Sequence, residues 1–111
     1  MRAVVHADDQ AVLGLLQDVL AQLGFETGRD AGWQEPPALV LAHVSPGATP
    51  RAVYSRARAG TRAPIILVLP LFADERLVDD AIRVGADACY ALGTPLAFLA
   101  GIVHSLVRSD G

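Results

Sequence analysis

Three short runs constrain this chain more than any other feature: Ala3-Val4-Val5, Ala38 to Ala42 (ALVLA) and Pro64 to Leu69 (PIILVL). Each is uncharged, too short for an ordinary helix, and followed by a polar break and then a stretch with helical spacing. A strand without a polar side has to be covered on both faces. Alternation of such strands with helices selects a parallel sheet with helices on both sides.

The intervening segments supply the remaining elements. Val12, Leu15, Leu16, Val19, Leu20 and Leu23 recur at helical spacing, and Gly24 ends that helix. Asp8 or Asp9 is placed to cap it, because a short carboxylate accepts from the open N–H groups of a first turn. Residues 25–27 read as a short strand. Residues 49–60 form an exposed helix, with Pro50 tolerated in its first turn and Gly60 at its end. In residues 73–85, Leu77, Val78, Ala81, Ile82 and Val84 are expected to face inward, and Asp79, Asp80 and Arg83 outward. Residues 86–92 suggest a fifth strand. The last helix is expected to start with Thr94 as N-cap and Pro95 at its first position.

Composition narrows the function classes. The 111 residues suffice for one domain, spanning 1–111, and the 52% hydrophobic content describes a compact fold. The nine basic residues are all arginine, they are scattered, and the net charge is -3, so no basic face for nucleic acid is expected. A single cysteine, Cys89, cannot form an internal disulfide and sits in an apolar setting, as a core thiol in a reducing, cytoplasmic compartment would. The N-terminus reaches acid too early for a secretory signal. The uncharged span 88–107 is broken by Gly93-Thr94-Pro95, so no membrane span is expected.

The second run, Ala38 to Ala42, ends in His43 and then Ser45-Pro46-Gly47, which places a histidine at a strand tip. With that tip in view, the chain resembles the receiver domain of bacterial two-component response regulators over essentially its whole length. The resemblance is carried by the apolar first strand with acids at its tip, the first helix ending QLGF, the PALVLAHVSPG and APIILVL segments, and VGADACY before the last helix. It implies a flavodoxin-like, doubly wound five-stranded parallel sheet of order 2-1-3-4-5. One departure concerns the fold. The interval from Phe25 to Ala38 is too short for the usual second helix, which is expected to be shortened or absent, with Trp33 covering exposed sheet or serving as an aromatic anchor for a partner.

In receivers, an aspartate at the third strand tip accepts the phosphoryl group, and two acids after the first strand hold Mg²⁺. A Thr or Ser ends the fourth strand and a lysine the fifth. Here the acceptor position is His43, the acid pair falls on Ala7 and Asp8, the hydroxyl position on Leu69, and the lysine position on Leu92 or Gly93. Only Asp8 survives, with Asp9 beside it. A lone carboxylate is a poor Mg²⁺ site, and Leu69 and Leu92 cannot stabilise a doubly charged group. The pattern implies a degenerate receiver, a pseudo-receiver.

His43 admits two uses. It can fill the pocket, donating to Asp8 or to a backbone carbonyl, or it can join His6 and Asp8 or Asp9 in a metal site. The last helix carries Leu96, Phe98, Leu99, Ile102, Val103 and Leu106, too many apolar groups for one stripe, and is the expected interaction face. The expected function is therefore a non-enzymatic, phosphorylation-independent module for protein interaction or homodimerisation, with a protein partner or output domain and no cofactor. The alternatives are a divergent phosphoacceptor using Asp8 or Asp9, and a metal or small-ligand sensor using His43 and Asp8.

Overall fold

A computed structural model describes residues 1–28, 34–72 and 74–110. The elements run β1 (Arg2–His6), α1 (Gln10–Gln22), β2 (Glu26–Thr27), β3 (Leu39–His43), α2 (Pro50–Gly60), β4 (Ile65–Leu69), α3 (Glu75–Val84), β5 (Ala88–Cys89) and α4 (Leu96–Asp110). The five strands form one parallel sheet in the order β2-β1-β3-β4-β5. Among the described residues no helix lies between β2 and β3, in agreement with the short crossover. Trp33 lies outside the described residues.

The uncharged runs form the centre of the sheet because both of their faces are covered. On one side, α1 and α4 set Leu16, Leu20, Leu99 and Val103 against Leu39, Leu41, Leu67 and Leu69. On the other, Ala57 of α2 packs with Val4, Val40, Ala42 and Ile66, and Ala81 of α3 with Val44 and Val68. All five residues of β3 and all five of β4 are buried. Each fully buried leucine contributes about 1.5–3 kcal/mol relative to an exposed one.

Local chemistry sets the helix starts. Asp9, rather than Asp8, caps α1: its Oδ1 accepts from the N–H groups of Ala11 at 2.8 Å and Val12 at 3.2 Å. Thr49 caps α2 through a bond from Ala52 N, and Asp74 caps α3 through one from Arg76 N. The last helix departs from expectation. It begins at Leu96, and the Thr94 hydroxyl donates to the Ala91 carbonyl at 2.7 Å instead of capping. The turn before it is held by Tyr90, whose hydroxyl donates to the carbonyls of Thr94 and Pro95.

Two further expectations are corrected. Val78 and Ile82 do not face inward; they stand 37% and 49% exposed. Ala81 is buried, and Asp80 turns toward α2, where its carboxylate lies 3.7 Å from the Arg51 guanidinium and accepts from Arg51 N. At 100° per residue, positions two before and two after Asp80 fall on the opposite side of α3. The second correction concerns β5, which has two residues rather than seven. Its backbone pairing with β4 nevertheless continues as single bonds, from Tyr90 N to Val68 O, Leu92 N to Pro70 O and Gly93 N to Leu71 O, at 2.9–3.0 Å.

Candidate functional site

Parallel α/β sheets expose their loops at the strand C-termini, and the residues named from the sequence gather there. His43 ends β3 and lies in register with Leu69 of β4, while His6 of β1 is in register with Ala42. Side chains alternate along a strand, so His43 shares the face of Leu39 and Leu41, the side covered by α1 and α4. Leu92 backs the same apolar layer.

The imidazole is only 8% exposed, and neither ring nitrogen has a hydrogen-bond partner among the described residues. The expected bond from His43 to Asp8 or to a carbonyl is therefore absent. The reason is visible in the neighbours. Asp8 is exposed and accepts instead from the Ser45 hydroxyl, at 3.3 Å, and the inward layer around His43 is hydrocarbon. Asp9 is occupied as the α1 cap.

No group of three or more His, Cys, Asp or Glu is gathered for a metal ion among the described residues. Two ion pairs are present among those residues, Arg2 with Glu26 and Arg51 with Asp80, and neither reaches the strand tips. The tip set Ala7, Asp8, His43, Leu69 and Leu92 thus brings together one carboxylate, no cation and no hydroxyl at the β4 end. Within that set a single carboxylate supplies too few oxygen ligands for a hard cation.

A cavity of about 340 Å³ opens beside these tips, on the side away from Leu69 and Leu92. It is lined by His6, Asp8, Ser45 and Arg56 together with Val5, Ala7, Ala48 and Val53, and His43 borders it without exposing either ring nitrogen. Sequence reasoning missed Arg56 and Ser45. Their signal was present: Arg56 follows Val53 by three residues, one turn along α2, and Ser45 lies two beyond the strand end.

The candidate interaction face is redrawn. Leu99 and Val103 are buried in the core, and Leu96, Ile102 and Leu106 are half-buried against it. Of the six named residues only Phe98 stands out, at 63% exposed. The flank of α4 bearing Leu96, Ala97 and Ala100 borders α1. Phe98 lies off that flank, and Val78 and Ile82 of α3 are exposed as well. Cys89, expected in the core, is half-buried on β5, and burial pushes its thiol pKa up.

No family model matches the sequence, and no curated protein matches it significantly. Solved structures do match. The BeF3-activated receiver domain of Klebsiella pneumoniae RstA has a TM-score of 0.77 at 20% identity, over 97% of this chain and 99% of that one. A two-component response regulator from Clostridium difficile has a TM-score of 0.75 at 15% identity, over 97% and 96%. A response regulator from Thermotoga maritima has a TM-score of 0.74 at 17% identity, over 96% and 97%. The chain has the receiver-domain fold.

Proposed function

We propose that this receiver-fold domain is a pseudo-receiver: a phosphorylation-independent interaction module in signal transduction or transcriptional regulation that self-associates through α3, β5 and α4. The observation that carries the reading is the composition of the strand tips. A buried imidazole without a hydrogen-bond partner among the described residues stands at the β3 end, with Leu69 ending β4 and Leu92 three residues past β5. Neither carboxylate replaces the lost acceptor, since Asp9 is an N-cap and Asp8 is engaged by Ser45. The exposed Val78 and Ile82 of α3 and Phe98 of α4 are the apolar side chains offered for association.

Two measurements test the two halves of this reading. Beryllofluoride with Mg²⁺ should leave the amide resonances of residues 7–9, 43 and 69 unmoved; specific shifts there would restore a phosphoacceptor. Light scattering against concentration should show a dimer in the micromolar range that Ile82→Glu or Phe98→Glu dissociates. A monomer at every concentration removes self-association from the proposal.

A further inference from the structure

α3 turns part of its apolar surface away from the sheet. Val78 and Ile82, one turn apart, are 37% and 49% exposed, while Ala81 between them in sequence is buried. Beside them on the same outward arc stand Asp79 and Arg83, also one turn apart and both exposed. Neither charge enters an ion pair among the described residues. We infer that this arc is a homodimer seam, in which α3 packs antiparallel on α3 of a second copy about a two-fold axis. The seam rests on the self-association reading and fixes the element, the direction and the register of contact.

Charge chooses the direction. In a parallel pair about a two-fold axis each residue meets its own copy, so Asp79 faces Asp79 and Arg83 faces Arg83, and both contacts repel. In an antiparallel pair with the axis level with Asp80, Val78 faces Ile82 of the second copy and Ile82 faces its Val78. The same rotation keeps each flank on its own side of the seam. Asp79 therefore comes beside the second copy's Arg83, within one residue rise of level, about 1.5 Å. The axis repeats that contact, so the seam holds two apolar pairs and two opposite-charge pairs.

The surface of the helix also supplies the receiving site. A depression of about 440 Å³ over its first turns is lined by Asp74, Glu75, Val78 and Asp79. Asp74 is occupied as the cap, which leaves Glu75 and Asp79 as an acidic rim beside the Val78 side chain. In the antiparallel register the residues that arrive there are Ile82 and Arg83 of the second copy. They bring an aliphatic group to the apolar part and a guanidinium to the carboxylates. The arginine stem lies along apolar surface as it reaches across.

This pattern selects the occupant. A uniformly acidic partner is repelled by the Glu75–Asp79 end and a uniformly basic one by Arg83, whereas a second copy matches both ends at once. Ten residues of helix give a seam about 15 Å long, short for a permanent dimer and suited to one that exchanges.

The test is sedimentation equilibrium of the full chain and three variants, each checked by circular dichroism for an unchanged fold. Asp79→Arg and Arg83→Asp should each weaken the dimer at least about tenfold, because the axis repeats every like-charge contact. The double variant Asp79→Arg/Arg83→Asp should return to within about threefold of the wild type. An equimolar mixture of the two single variants should form a heterodimer as tight as the wild-type dimer. The seam is overturned if either reversal leaves the wild-type constant unchanged, or if the double variant stays as weak as the single ones. Dissociation by Phe98→Glu with no response to the charge reversals removes the seam and leaves self-association standing. A wild type that is monomeric at every concentration removes both.

Discussion

Replacing His43 with leucine should stabilise the domain. The imidazole is buried with both nitrogens unbonded, beside Leu69 and on the same face as Leu41. Burying a polar group without a partner costs about 1–3 kcal/mol in proteins, and an apolar side chain of similar size removes that cost and extends the leucine layer. A chain of 111 residues unfolds with an entropy of about 0.23 kcal/mol per kelvin, so the gain corresponds to a rise in Tm of about 4–13 °C. Urea denaturation followed by circular dichroism should show the midpoint moving up with m unchanged. His43→Met should behave alike, since its flexible thioether adapts to the shape of the site where branched leucine is rigid. Loss of more than about 1 kcal/mol in both variants would refute the reasoning. It would mean that the imidazole is bonded in solution, and Asp8→Asn would then show whether Asp8 is the partner.

Other outcomes follow from single contacts. Asp9→Ala should cost about 1 kcal/mol in the same denaturation assay, through loss of the α1 cap, whereas Asp9→Asn should cost far less. Asp87 Oδ2 accepts from Ile66 N at 2.8 Å, so Asp87→Ala leaves a backbone donor of β4 unpaired and should cost about 1–3 kcal/mol; Asp87→Asn, which keeps an acceptor oxygen, should recover most of it. Because burial raises the Cys89 thiol pKa, the unfolded chain loses that proton first. The associated stability is full below the ordinary value of 9.0 and falls as pH rises above it. Comparing alkaline denaturation with Cys89→Val, which lacks this contribution, isolates the effect; identical pH profiles would sink it.

The sequence made the scaffold legible because the scaffold rests on signals of the right length. Short uncharged runs bounded by turn residues have the length of strands covered on both faces, and Gly24 and Gly60 mark helix ends that the structure keeps to within two residues. The orientation of α3 was not legible. Its apolar residues span a wider arc than the sheet accepts, and the choice among them is made by a tertiary contact, Asp80 with Arg51, that no local pattern contains. The identities of the strand-tip residues could be read by position, but not their bonding. Whether His43 pairs with Asp8 depends on where Ser45 and the β4 and β5 leucines fall in space. The cavity was hidden for the same reason, since Arg56 reaches it from a helix with its own separate periodicity.

Both outermost strands, β2 and β5, are only two residues long. An exposed strand normally offers a row of open backbone groups that can template another chain, and length is what makes that template dangerous. Along β2 and β5 themselves an incoming strand finds only two residues of regular strand backbone to copy. Association by side chains can therefore be strengthened or weakened over evolutionary time without opening a route to fibres.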